Sequence, residues 1–89
     1  MKVHNMESNR GNRVPNQFII TSEEGEYFQS YQTIIAFRPW DNEPIQLDRE
    51  RWDYSRTTST YRNKFLGETT RETEASIKDG TYILEDLNE

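Results

Sequence analysis

The hydrophobic pattern of this chain changes period after Asp48, and that change is the strongest constraint on its fold. Before Asp48, short runs of β-branched and aromatic residues are separated by turn-forming residues, which is typical of β-strands. We predict four strands there, at residues 17–21, 26–29, 33–38 and 45–47. The third run is apolar at successive residues, which predicts a central strand covered on both faces. The fourth run alternates and fits an edge strand.

Residues 23–25 connect the first two of these runs and end in a glycine. Three-residue hairpin connections of this kind commonly combine a type I turn with a bulge, whose last residue needs a positive φ. Glycine adopts that conformation without steric cost. We therefore predict a β-hairpin in which Gly25 supplies the positive φ.

The pattern after Asp48 is helical. Tyr54, Thr58, Tyr61 and Phe65 recur at the spacing of one helix face, and Gly67 follows as a C-terminal stop. The Ser and Thr content favours a start near residue 57 or 58. A second helix should begin with a capping box, in which Thr69 and Glu72 each bond the other's backbone, and end at residues 79–80. Residues 81–84 predict a final strand.

Composition limits the size of the core. The chain has 89 residues, of which 31% are hydrophobic and 12% aromatic. A single small α+β domain with a thin, aromatic-rich core fits these values. We predict a mostly antiparallel sheet of three to five strands over residues 17–85, with one amphipathic helix packed on it and a second short helix at the surface. Residues 1–16 are expected to form a flexible polar leader, and residues 86–89 a frayed tail.

The residues that enzymes commonly use are scarce. The chain has no cysteine, and its one histidine, His4, falls in the expected leader. Its glycines are isolated, so they form no phosphate-binding loop. Carboxylates are abundant, but a solvated acidic surface explains them better than a metal site. We expect a non-enzymatic protein without a cofactor. We find no apolar run that could form a membrane span or signal peptide, which predicts a cytoplasmic protein with no membrane partner.

Residues 52–67 interleave aromatic, basic and hydroxyl side chains. Residues 49–71 carry a net charge of +3, whereas the rest of the chain carries −8. Aromatic rings that stack on bases and cations that contact phosphates are typical of single-strand binding. The candidate nucleic-acid-binding residues are Arg56, Tyr61, Arg62 and Lys64. An alternative is that the aromatic rings fill the core and the basic residues face solvent.

Trp40 lies in a loop between two prolines, where a purely structural tryptophan is less expected. Acidic residues surround it in sequence and occur again in the preceding hairpin. The ring could fold back as a lid on the sheet or stand out as an anchor for a partner. The candidate partner-binding residues are Trp40, Asp41, Glu43, Glu23 and Glu24.

Several blocks of the sequence resemble a group of small uncharacterised proteins of bacteriophages, prophages and related mobile elements. The blocks are N-Q-F-I-I at residues 16–20, F-Q-S-Y at 28–31, W-D-Y-S-R-T-T at 52–58, Y-R-N at 61–63 and F-L-G-E-T at 65–69. No activity is known to us for that group, so the resemblance assigns no site residues. It implies a small acidic protein that acts by binding host machinery, in the cytoplasm of the host cell.

Three functions are compatible with these patterns. The first is an accessory protein that binds, and possibly inhibits, a host or viral macromolecule such as a defence or nucleic-acid-processing complex. The second is a single-stranded nucleic-acid-binding protein that uses the aromatic and basic helix. The third is a structural component that forms homo-oligomers through an exposed sheet edge.

Overall fold

A computed structural model describes residues 1–88, which form a mixed sheet of six strands and two helices. The elements in chain order are β1 (Lys2–Glu7), β2 (Arg13–Thr21), β3 (Gly25–Ser30), β4 (Thr33–Pro39), β5 (Gln46–Asp48), α1 (Arg56–Leu66), α2 (Thr70–Lys78) and β6 (Ile83–Glu85). The α+β class is confirmed, and the sheet is larger than the three to five strands predicted.

The strands follow one another across the sheet in chain order. The first four pairings are antiparallel and use short connections, whereas β5 and β6 are parallel. A parallel pair needs a long crossover, and here α1 and α2 provide it. Because β6 lies beyond β5, the predicted edge strand at residues 45–47 is an internal strand, and that prediction was wrong.

The expectation of a flexible leader at residues 1–16 was also wrong. Strand β1 pairs with β2 along its length, with Asn5 opposite Phe18. A turn stabilised by Ser8, whose side-chain oxygen accepts from the backbone of Arg10 and Asn12, joins the two strands. Met6 is buried in the core. Backbone pairing with β2 orders this segment, so a nearly continuous polar sequence forms a strand.

The tail was predicted to fray over residues 86–89. The side chain of Asn88 instead bonds both the backbone N–H of Ile34, at 2.7 Å, and its carbonyl, at 2.9 Å. It also donates to Asp48, whose carboxylate accepts the backbone N–H of Leu87 as well. These bonds tie the chain end to β4 and β5. Residue 89 lies outside the described residues.

Helix α1 begins at Arg56, slightly before the predicted start, and Tyr54, which was predicted on its inward face, precedes the helix and is exposed. Ser55 caps α1 by accepting from the backbone of Thr58, and Gly67 ends it with φ 73° in the left-handed region. The capping box of α2 is confirmed, since Thr69 and Glu72 bond each other's backbone. Within the described residues, neither helix is long and apolar enough to cross a membrane.

The core lies between α1 and one face of the sheet. Its buried apolar residues are Met6, Phe28, Ile35, Ala36, Leu47 and Phe65. Phe65 of α1 stacks on Phe28 of β3 with ring centroids 5.9 Å apart. Ile35 and Ala36 are both fully buried although they are adjacent. A bulge in β4 explains this, because Ala36 lies opposite Phe28 whereas Ile34 lies opposite Gln29.

The phenol of Tyr82, the residue before β6, bonds the loop between the two helices. It donates to Glu68 at 2.8 Å. Burial, followed by this hydrogen bond, raises the pKa of Tyr82 to about 12 from an ordinary value of 10.0. The protonated phenol is therefore favoured more in the folded protein than in the unfolded chain.

Above pH 10 the unfolded chain should lose the Tyr82 proton before the folded protein does. We therefore expect the stabilisation from this bond to be complete below pH 10 and to decline as the pH rises towards 12. The contribution of this bond to the free energy of unfolding is measured by urea denaturation of the wild-type protein and of Tyr82→Phe between pH 8 and pH 11.5. The difference in unfolding free energy between the two proteins should shrink as the pH rises. A difference that stays constant would contradict the assignment.

Candidate functional site

The two faces of the sheet differ in what covers them. Side chains alternate between the faces along each strand, and Phe28, Ala36 and Leu47 point towards the helices. Phe65 of α1 and Ile77 of α2 both pack on this core. We call this face the helix side. Within residues 1–88 both helices lie on the helix side, so the prediction that both faces of β4 are covered was wrong.

The opposite face, which we call the open face, carries apolar side chains on five of the six strands, of which Val3 is exposed and the others are partly buried. Its members are Val3, Phe18, Ile20, Tyr27, Ile34, Phe37 and Ile83. None of them is among the residues that pack on the core. At its centre the rings of Tyr27 and Phe37 stack with centroids 4.5 Å apart. Ile20 flanks this pair on β2, and Ile83 lies beyond Gln46 on the other side.

Trp40 stands at one end of the open face, directly after β4. Its indole N–H donates to the carbonyl of Ser22 at 2.8 Å, and its backbone N–H donates to Glu24 at 3.1 Å. The side chain is nevertheless 54% exposed. The two bonds hold the ring in a fixed position while one side of it faces solvent. The ring is thus bonded back to the turn between β2 and β3 and is also partly accessible to solvent.

The five predicted partner-binding residues come together around Trp40. A cavity of about 530 Å³ is lined by Trp40, Asp41, Glu43, Glu23 and Glu24 together with Phe37 and Ile83 of the open face. Every charged residue that lines it is acidic. We call this region the acidic end. Among the described residues, no three acidic or histidine side chains converge in a way that could hold a metal ion.

The predicted nucleic-acid-binding residues do not form a comparable surface. Arg62 is fully buried and donates to the carbonyl of Trp52 and to Asp53, Asn63 and Thr70. Its guanidinium also lies 5.0 Å from the centre of the Trp52 ring. A phosphate cannot reach this group, so the prediction of Arg62 as a phosphate contact was wrong.

The other three candidate nucleic-acid-binding residues have different environments. Tyr61 is half-buried and packs against the core, as the alternative interpretation of the aromatic rings expected. Lys64 is exposed but donates to the backbone carbonyl of Glu7. Arg56 is exposed at the start of α1. The signal for the buried arginine was present in the sequence, because Arg62 follows Thr58 by one helical turn and therefore shares its inward face.

Comparison with known proteins leaves the function open. No significant match was found to a curated protein or to a solved structure. One family model matches residues 1–81, which include the first five strands and both helices. The chain therefore belongs to DUF8033, a family of unknown function.

Proposed function

We propose that this chain is a non-enzymatic protein-binding module, and that the open face of its sheet is the binding surface. The observation that carries the proposal is the set of partly exposed apolar side chains on the sheet face away from the helix-side core, with the exposed Trp40 at its end. Contiguous exposed apolar patches commonly mark interaction sites. Tryptophan and tyrosine are common among the few residues that contribute most of the binding energy of an interface.

The charge around this face favours a basic partner over a second copy of the chain. Four carboxylates line the acidic end, and the chain as a whole carries a net charge of −5. Two copies that met through their open faces would bring together two molecules of the same sign. A partner with lysine or arginine beside an apolar patch would instead gain complementary charge, which also accelerates association.

The resemblance to phage proteins suggests where such a partner is found. Host and viral proteins that process nucleic acid have basic grooves, and an acidic surface can occupy such a groove in place of the phosphate backbone. On this proposal the chain binds, and thereby inhibits, a nucleic-acid-processing or defence protein in the host cytoplasm. The apolar part of the open face adds contact area that nucleic acid itself lacks.

Removing charge from the acidic end should weaken binding more than removing the same charge elsewhere. The test compares two double variants. The first combines Glu23→Gln and Glu24→Gln, and the second, a control, combines Glu7→Gln and Glu74→Gln. The second pair is exposed and lies at the end of β1 and on α2. The probe is a synthetic peptide that alternates lysine with leucine, titrated while tryptophan emission is recorded.

We expect the first double variant to bind the peptide about twofold to tenfold more weakly, since an exposed charge pair contributes roughly 0.2–1 kcal/mol. Affinity of the wild-type protein should fall as salt is added. The same peptide with glutamate in place of lysine should not bind. Equal weakening in both double variants would mean that net charge alone attracts the peptide, and would contradict a localised site.

A further inference from the structure

The turn between β3 and β4 holds a tyrosine in an unfavourable backbone conformation. Tyr31 has φ 57°, in the left-handed region that residues with a bulky side chain rarely adopt. It follows Ser30, which pairs directly with Thr33, so the connection has only two residues. Tight turns of this kind commonly place glycine where φ is positive. The backbone N–H of Tyr31 donates to Asn16 at 2.7 Å, and Asn16 also has a positive φ, of 65°.

Core packing does not account for this tyrosine. Its side chain is 51% exposed, and it is absent from the set of residues that pack on the core. A glycine there would relieve the unfavourable φ and would leave the backbone bond to Asn16 intact. Strained residues that persist without a packing role occur preferentially at functional sites. The exposed ring is therefore the feature that the turn presents.

Tyr31 adjoins the open face at the end opposite Trp40. It lines a cavity of about 530 Å³ with Phe18 and Gln29, which both point to the open face. The other lining residues are Asn16, Gln32 and Thr33, so this end is polar but uncharged. We call it the neutral end. Strand β4 runs from the neutral end to the acidic end, over a length of about 20 Å at roughly 3.3 Å per residue.

We propose that Tyr31 is a second anchor for the protein partner, and that one contact segment of the partner spans the open face from Tyr31 to Trp40. This inference rests on the proposed function of the open face. The difference in charge between the acidic end and the neutral end determines the direction in which that segment lies. Its basic residues lie over the acidic end, and its uncharged polar or aromatic residues lie over the neutral end.

Two lengths of the lysine–leucine peptide test whether both ends are used. A peptide of about four residues covers only one end of β4, whereas one of about eight residues spans it. The variants are Tyr31→Gly and Trp40→Ala, with Tyr54→Ala as the control. Tyr54 is also exposed, at 44%, but precedes α1 and lies beside Arg51. Affinity is measured by calorimetry, and the melting temperature of each variant by circular dichroism.

We expect Tyr31→Gly to weaken the long peptide by about fivefold or more and to leave the short peptide unchanged. Its melting temperature should stay equal to that of the wild-type protein or rise, because glycine adopts the positive φ without strain. Trp40→Ala should weaken both peptides, and Tyr54→Ala neither. A residue with only a structural role would lower the melting temperature without this dependence on peptide length.

The outcomes separate the two proposals. If Trp40→Ala weakens both peptides and Tyr31→Gly weakens neither, the open face binds protein but the second anchor is overturned. If no peptide binds saturably, both proposals fail. Light scattering on the free protein tests whether a second copy of the chain, and not another protein, covers the open face. A dimer that Tyr31→Gly dissociates would show that a second copy covers this face, and would overturn the partner proposed here.

Discussion

Replacing Arg62 with alanine is expected to lower the free energy of unfolding by about 3 kcal/mol or more, because it removes four hydrogen bonds made by a fully buried side chain and leaves a cavity in its place. The guanidinium is fully buried and bonds the Trp52 carbonyl at 2.5 Å and Thr70 at 2.8 Å. It also bonds Asn63 at 2.9 Å and Asp53 at 3.1 Å. These groups belong to the loop before α1, to α1 itself and to α2, so alanine would leave all three segments without their common donor.

Urea denaturation followed by circular dichroism measures this loss, with Arg56→Ala as the control. Arg56 lies on the same helix but is exposed, and its replacement should change stability by less than about 0.5 kcal/mol. Arg62→Lys should fall between the two, because lysine keeps the charge but not the planar set of donors. If Arg62→Ala were as stable as Arg56→Ala, the buried network would not hold the helices, and a role of Arg62 at the surface would have to be reconsidered.

Replacing Gly25 with alanine is expected to destabilise the protein by a similar amount, about 3 kcal/mol, for a steric reason. A Cβ at Gly25 would lie 2.3 Å from the backbone oxygen of Arg38 and 2.8 Å from Cα of Pro39. Both are backbone atoms of β4, so the two strands would have to separate. The separation would occur beside Trp40, whose backbone N–H bonds Glu24, and would therefore disturb the acidic end as well.

Gly11→Ala is the matched control for this variant. Gly11 has φ 80°, which is unfavourable for alanine, but a Cβ there would meet no atom within 4 Å. Its replacement should cost about 1 kcal/mol from the backbone conformation alone. Thermal and urea denaturation of both variants measure the difference. Equal losses for Gly25→Ala and Gly11→Ala would show that β3 and β4 can move apart without cost.

The elements that the sequence predicted correctly are those with a local signal. The capping box at Thr69 and Glu72 and the stop at Gly67 depend on residues three or four positions apart, and both are present. The hairpin after β2 was also predicted, and Gly25 has the positive φ that was expected, although a second reason for glycine was not foreseen. Gly25 has φ 158°, and glycine is needed there also because β4 passes too close for a side chain.

The elements that the sequence did not reveal depend on contacts between distant residues. Strand β1 has little apolar pattern of its own and exists because β2 pairs with it. The position of β5 inside the sheet depends on β6, which arrives only after both helices. The spacing from Thr58 places Arg62 on the inward face of α1, but its bonding partners Asp53 and Thr70 lie nine and eight residues away. No periodicity within a single segment reports such partners.

The candidate site was predictable in its residues but not in its extent. Trp40 and the acidic residues of two separate loops were selected from their position in predicted loops and their charge, and the structure brings them around one cavity. The apolar face beside them was not predicted, because the apolar run of β4 was interpreted as covered on both sides. The apolar run of β4 contributes residues both to the helix side, through its bulge, and to the open face. Only the position of the helices distinguishes these two faces.

Methyl-selective NMR during titration with the lysine–leucine peptide tests the central claim most directly, because alternating residues report on opposite faces of the sheet. On the open face the reporters are Val3, Ile20, Ile34 and Ile83, and on the helix side they are Ile35, Leu47 and Leu84. We predict saturable shifts of the first group, with the second group nearly unchanged. Shifts confined to the second group would show that the peptide binds on the helix side, and would contradict the assignment of the open face as the binding surface.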